Sequence, residues 1–413
     1  MPIDVKKYID VDSKDTPIVI YRDKVPVMET LNVTPEIISQ EIEPAEGIDG
    51  FSRVNVSAVN ATIDSNILPQ NIKEGVSILG VNGSLETTRY GASLNTFFGE
   101  VINGELERPS ELVDLVFSGV VSIGNKALFY QFYDNDAIRS VSFPDLVSSD
   151  YLGGLQDSFY GCSNLTTLSC PKAKRLYAPY AFSGCPNLDN VYLPELEVMR
   201  YMSYSFSGSK VTNLVMPKVK SITGANGCFN NIKIEELDMS SVETISGLNA
   251  AMEFLSYCQH LVSADFSGLT EVNGQSACSN MFLNDEKLES LDMSNLETVI
   301  GTNAMTYLCY GCSRLKTMTF DKLSKVGKSV GGYTYYEFQW AFALSGIETL
   351  SFPALKSDSF VDYEVFMNML YGVDGCTVHF PSNLQAVIGN WADVINGFGG
   401  TNTTVLFDLP ATE

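Results

Sequence analysis

The chain has 413 residues, 45% hydrophobic and 18% charged, with a formal net charge of −23. That length holds two domains and a sizeable core. A surface this acidic repels phosphate backbones and argues against nucleic acid as a partner.

Residues 1–33 read as an N-terminal arm. The start, Met1-Pro-Ile-Asp-Val-Lys-Lys, has no apolar segment of a secretory signal, and no run of about 18 apolar residues occurs anywhere, so neither export signal nor membrane insertion is expected. Loosely alternating text (Ile18-Val-Ile-Tyr21, Val25-Pro-Val27) follows Asp10, Asp12 and Asp15. The Asp10-x-Asp12 spacing lacks the glycine and distal glutamate of a calcium loop, and these acids read as solvated turn residues.

Residues 34–86 are strand and turn text. Val54, Val56 and Val59 alternate, and Gly50, Gly75, Gly80 and Gly83 punctuate. The most distinctive phrase is Asn71-Ile72-Lys-Glu-Gly75-Val76-Ser-Ile78-Leu79-Gly80-Val81-Asn-Gly83. It resembles a small module of tail and other structural proteins of tailed bacteriophages and prophages. The resemblance implies a small β module that anchors the chain in a virion, with other virion proteins as partners of residues 1–86. It also implies assembly in the host cytoplasm, release by lysis and homo-oligomers on the virion. Residues 87–111, polar and glycine-containing, read as a linker or cap.

Residues 112–380 are a run of degenerate repeats. Starts fall at Leu112, Ile138, Leu165, Leu188, Val211, Ile234, Leu261, Leu288, Leu315 and Ile347, spaced 23 to 32 residues apart. Positions 1, 4 and 6 of each unit are apolar, as in Leu288, Leu291 and Met293, while positions 3 and 5 are free to face out. One such strand cannot bury its apolar side alone. Stacked in parallel at about 4.8 Å per coil, the strands share one long core. A second recurrent phrase is Phe159-Tyr-Gly161-Cys162, Phe182-Ser-Gly184-Cys185 and Cys309-Tyr-Gly311-Cys312. Its first residue fills the back of the coil. Its glycine suits a positive φ, as do Asn231 and Asn284 at comparable places.

This grammar resembles the BspA-like leucine-rich repeats of bacterial surface adhesins and some phage proteins. It departs from the commonest leucine-rich pattern. No asparagine ladder follows position 6, where Pro144, Pro171, Pro194, Pro217 and Pro353 or Ser240, Ser267 and Ser294 stand instead. The expected fold is a β-rich leucine-rich-repeat solenoid, with a parallel sheet on one face and turns or short helical pieces on the back, behind a small N-terminal β module. Residues 381–413 read as a C-terminal cap. Leu384, Ile388, Trp391 and Ile395 are spaced as a helix face, and Val405-Leu406-Phe407 as a last strand.

Enzyme chemistry has little to stand on, and no cofactor or metal is expected. The two histidines, His260 and His379, occupy variable repeat positions. Cys309-x-x-Cys312 aligns with core positions of neighbouring repeats rather than forming half of a metal site, and the nine cysteines read as buried thiols. Two features suit a partner. Asp238, Asp265 and Asp292 would stack on the outer strand face, either as a patch for a cation or polar partner or as local hydrogen-bond acceptors. The longest coil carries Tyr333, Tyr335, Tyr336 and Trp340, residue types favoured in binding loops. Further tyrosines at Tyr177, Tyr180, Tyr201 and Tyr204 could extend it as a ridge. Together with the two resemblances, these features lead to a non-enzymatic virion protein of the tail-fibre, receptor-binding kind, whose solenoid meets a host cell-surface protein or glycan. The alternatives are a head fibre or capsid decoration protein and a cellular BspA-like adhesin.

Overall fold

Alternation at positions 1, 4 and 6 forces each repeat to present one side of a short strand to its neighbours. The computed structural model describes residues 21–22, 25–26, 40–42, 54–56, 77–78, 81–82, 110–124, 127–149, 154–327, 336–358, 363–388 and 401–412. It divides into two units, Met1–Thr87 and Thr88–Glu413.

In the first unit the described residues form three antiparallel pairs. Tyr21–Arg22 pairs with Val25–Pro26, Gln40–Ile42 with Val54–Val56, and Ser77–Ile78 with Val81–Asn82.

The second unit is a parallel β-solenoid. Its front ladder runs in three hydrogen-bonded stretches: Val113–Val116 to Asn213–Val215, Glu236–Asp238 to Ser290–Asp292, and Thr317–Thr319 to Thr404–Leu409. The register is one-to-one over most of its length, as in Leu168↔Val191 and Leu350↔Val378. Positions 1, 4 and 6 are buried from Ile138 onward, with Leu214 only partly so. Leu112 is the exception to the expected pattern. It is 53% exposed, because the ladder register shifts between Val113 and Asp114, so that Val113 rather than Leu112 pairs with Ile138 and packs against the core.

A second ladder was not foreseen. Nine two- or three-residue strands, from Ser122–Ile123 to Lys325–Val326, form an unbroken parallel sheet along the side of the solenoid. Its signal is a further apolar pair three residues apart, such as Leu196-x-x-Met199, Leu269-x-x-Val272 and Leu296-x-x-Val299, all buried.

Among the described residues the back of the coil is turn, apart from the 3-10 helix Tyr363–Phe366. Backbone N–H groups alternate between closing a four-residue turn and crossing to the next coil: Phe254 donates to Ala251 O and Leu255 to Met281 O. The core behind it is a stack of rings. Phe132, Phe159, Phe182, Phe206 and Phe229 lie 5.2–5.6 Å apart with ring planes within 11° of parallel. The cysteine of the Phe-x-Gly-Cys phrase closes the unit. Cys162, Cys185, Cys258 and Cys312 each donate their thiol to a phenylalanine carbonyl of the preceding coil at 3.0–3.3 Å, and Ser209 does the same with its hydroxyl at 2.8 Å.

Beyond the last repeat, Ser382–Leu384 is a 3-10 turn, Gln385–Ile388 a single helical turn, and Thr404–Leu409 a strand parallel to Thr377–Pro381. Leu384 is buried. Trp391 and Ile395 lie outside the described residues.

Candidate functional site

The turn face concentrates the unusual chemistry. Each coil there carries a residue in the left-handed conformation at one fixed place, because its N–H must reach the next coil while the turn closes behind it. The column reads Tyr130, Asp157, Tyr180, Tyr204, Gly227, Glu253, Asn280, Tyr307, Trp340 and Asn368, all with φ between 50° and 57°. The register is fixed by bonds such as Tyr180 N–H to Ser203 O, Tyr204 N–H to Asn226 O and Trp340 N–H to Met367 O. Glycine, asparagine or aspartate would fill these positions with the least strain; a bulky side chain costs about 1–2 kcal/mol more. Five of the ten positions are nevertheless aromatic. The parallel column four residues on (Asp134, Gly161, Gly184, Gly208, Asn231, Tyr257, Asn284, Gly311, Leu344, Gly372) is mostly the strain-free kind, which includes the glycines and asparagines expected from the sequence.

The rings meet along the coil axis. Tyr180 stacks on Tyr204 at 5.3 Å, and Tyr307 on Trp340 at 5.9 Å. Trp340 also meets Tyr371 at 4.7 Å, and Tyr177 meets Tyr201 at 4.8 Å. Tyr130 is 48% and Tyr180 39% exposed, so the face is open to solvent. Burial, then the bond to Glu253, pushes the Tyr204 phenol up to about 12. Burial also raises the Tyr307 phenol, with Tyr310 adding to it.

Of the tyrosines in the longest coil, Tyr333 and Tyr335 lie outside the described residues. Tyr336 is half-buried, and its carbonyl accepts a bond from the Thr306 hydroxyl at 2.7 Å. Trp340 joins the aromatic column instead. The structure therefore places Trp340 with Tyr307 and Tyr371, two residues that sequence reasoning missed. The four-residue spacing of Asn249, Glu253 and Tyr257, or of Asn303, Tyr307 and Gly311, was the signal that could have found them.

The aspartates do stack on the front face, with Asp238↔Asp265↔Asp292 in register. Each folds back on its own turn. The N–H groups of Ser240, Ser267 and Ser294 donate to Asp238, Asp265 and Asp292 at 2.9, 2.7 and 2.9 Å. The Ser240 hydroxyl first, then its N–H, lowers the Asp238 carboxyl below its usual range. Among the described residues no group of three or more His, Cys, Asp or Glu is arranged to hold a metal ion.

His379 lies against Asp408 at 2.9 Å on the outer side of the closing strands. All nine cysteines are free and buried. Burial raises the thiols of Cys170, Cys185, Cys228, Cys258, Cys278 and Cys312, and pushes Cys376 up to about 12, so these sulfurs stay protonated. Cys309 and Cys312 are core residues of one coil. No helix among the described residues is long and apolar enough to cross a membrane.

Residues 122–250 match the family of BspA type leucine rich repeat regions in six copies, a repeat family rather than an enzyme family. No curated protein matches the sequence. Among solved structures the chain is similar to a leucine-rich repeat protein from Bacteroides ovatus (15% identity, 69% of this chain and 87% of that one, TM-score 0.26). It is also similar to a leucine rich cell surface protein from Faecalibacterium prausnitzii (13%, 69% and 82%, TM-score 0.25) and to the pneumococcal vaccine antigen PcpA (14%, 72% and 79%, TM-score 0.30). Residues 122–250 are thus similar to BspA type leucine rich repeat regions, and one-to-one parallel strand pairing recurs beyond them, from Thr317–Thr319 to Thr377–Pro381.

Proposed function

We propose that the chain is a non-enzymatic structural protein of a phage virion, attached through residues 1–86, whose solenoid displays a recognition face to the host surface. The observation that carries the recognition role is the aromatic column at Tyr130, Tyr180, Tyr204, Tyr307 and Trp340. Backbone strain held against an easier choice of residue points to function. Aromatic rings on a stiff scaffold offer large contact area with little ordering entropy, the economy that binding surfaces use. The phage context rests on the Asn71 to Gly83 phrase and its resemblance to virion modules. Tyr333, Tyr335 and Tyr336, which precede Trp340 in the same repeat of the sequence, are proposed as further partner contacts. The Asp238, Asp265 and Asp292 ladder is a second, polar contact strip on the front. The BspA-type match favours a second reading, a cellular surface adhesin that uses the same face.

The test is adsorption blocking with the full chain. Saturable protection of candidate host cells, lost in the triple variant Tyr180→Asn, Tyr307→Asn, Trp340→Asn, is the expected result. Protection unchanged in that variant would remove the aromatic face from the mechanism. A folded chain that binds no cell would leave a head-fibre or decoration role. Antibody labelling of virions separates the phage reading from the cellular one.

A further inference from the structure

A cleft of about 540 Å³ opens where the side ladder turns into the back of the solenoid. That is within the size range of small-ligand sites. Its walls follow from strand alternation. In the strand Arg175–Leu176 and the residue after it, Leu176 points into the core while Arg175 and Tyr177 stand outside. One coil on, Met199 points in while Arg200 stands outside. The register Arg175↔Val198 and Leu176↔Met199 sets Tyr177 beside Arg200. The two arginines are thus diagonal neighbours, on the order of 8 Å apart at the backbone. Ser148 and Ser122 continue the Arg175 column on the preceding coils, Ser148↔Arg175 and Ser148↔Ser122.

The charge at this place runs against the rest of the molecule. Cations on the adjoining coils are matched: Lys172 with Asp145, Lys174 with Glu197, Lys218 with Glu195 and Lys220 with Glu243. Arg175 and Arg200 have no carboxylate partner among the described residues. Glu197, the acid that feels Arg175, is held by Lys174 at 2.8 Å. The Arg200 guanidinium lies 4.7 Å from the Tyr201 ring centre and gives one N–H to its hydroxyl at 2.9 Å, which fixes the fork and leaves its other donors free. Tyr177 and Tyr201 meet with centroids 4.8 Å apart. The buried Ser149 hydroxyl bonds both the N–H and the carbonyl of Tyr177, so that wall is anchored from below.

We infer that this cleft binds an acidic saccharide, with the sugar carboxylate on the forks of Arg175 and Arg200 and the ring lying on Tyr177 and Tyr201. Guanidinium forks match a carboxylate in two parallel bonds. Tyrosine faces suit the C–H side of a pyranose, and the serines of the neighbouring column take its hydroxyls. The saccharide as a host-surface component rests on the attachment reading above; the binding chemistry does not.

The full chain would be titrated calorimetrically with sialyllactose and with a glucuronate-containing oligosaccharide. Lactose and inorganic phosphate serve as controls. Saturable binding of an acidic oligosaccharide, without binding of lactose, is expected. Arg175→Gln and Arg200→Gln should each weaken it by about tenfold or more, since each removes a charge-assisted contact. Both side chains are exposed, so the variants should fold as the parent does, which circular dichroism checks. Failure of both acidic probes, equal binding of lactose, or arginine variants that bind like the parent would each overturn the inference. Phosphate that competes on equal terms would overturn its saccharide part. Cell attachment measured in parallel separates the two readings. Attachment that survives both arginine variants sinks the cleft as the host contact and leaves the aromatic face standing. Saccharide binding without any attachment leaves the cleft chemistry standing and sinks the attachment reading.

Discussion

Tyr204 donates its hydroxyl to Glu253 at 2.9 Å across an intervening coil. The bond is possible because the residue between them in the left-handed column is Gly227, where a Cβ would lie 2.3 Å from the Tyr204 ring. Gly227→Ala should therefore swing the ring away and place a side chain at φ +57 as well. A stability loss of about 1–2 kcal/mol is expected. The Tyr204 phenol, now at about 12, should move down towards its ordinary value, and Glu253→Gln should shift it the same way without the backbone cost. Carbon-13 NMR of labelled tyrosine through an alkaline titration reads this directly. A phenol that stays in place in both variants would refute the linkage.

The thiols give a second test. Every cysteine is buried, and the thiols of Cys162, Cys185, Cys258 and Cys312 in the closing column are also hydrogen-bonded to the preceding coil. A thiol reagent should find almost none of them in the native chain and all nine in denaturant. Cys162→Ser should be better tolerated than Cys162→Ala. Serine can keep the bond to Phe132 O, whereas alanine leaves that carbonyl with the Asn135 N–H but without its second donor, a loss of about 0.5–1.5 kcal/mol. Rapid labelling of Cys309 or Cys312 in the native state would restore the metal or redox reading of that pair.

The front ladder was legible because a period of two is a strong signal when each coil repeats it, and position 6 is apolar in every unit from Phe117 to Phe352. The side ladder was not legible, since strands of two residues such as Val198–Met199 leave a single buried side chain and no alternation to count. The back was harder still. A phenylalanine followed by glycine announces a turn, but Tyr180 or Trp340 in a left-handed position contradicts local propensity. Only the bonds between coils impose it. Arg175 and Arg200 belong to different repeats, and nothing short of the register puts them in one cleft.

Asp285 and Asp238 should respond to acid in opposite directions. Asp285 is buried. It accepts the Cys258 N–H at 2.7 Å through one oxygen and has no partner for the other. Burial holds its carboxyl well above the usual range. With the folded pKa above the unfolded one, the protonated form is the one the fold prefers. Stability is therefore lost as pH rises from about 3.9 through the folded value, and the deficit persists above it. Asp238, Asp114 and Asp189 are lowered, by Ser240, Arg139 and Thr212 in turn. Their contribution is present above the unfolded pKa and is lost as pH falls through the folded ones. Asp285→Asn should then stabilise the chain by about 1–2 kcal/mol near pH 7 and by much less near pH 3.5. Urea midpoints at the two pH values decide it, and an equal gain at both would show that charge is not the cause.

The aromatic column predicts a conflict between stability and attachment. Tyr180, Tyr307 and Trp340 sit at φ 54°, 57° and 57°, where asparagine is at ease and their own side chains are strained. Each ring also stacks on a neighbour, Tyr180 on Tyr204 and Tyr307 on Trp340, which returns about 0.5–1.5 kcal/mol per pair. Tyr180→Asn should therefore leave stability within about 1 kcal/mol of the parent. Alanine at the same place lacks both the ring and the tolerance for this conformation, and should destabilise more. If attachment falls in both variants while only alanine lowers the thermal midpoint, the ring serves the surface and not the fold. An asparagine variant that unfolds as readily as the alanine one would mean that stacking holds the coil, and the case for an aromatic recognition face would lose its support.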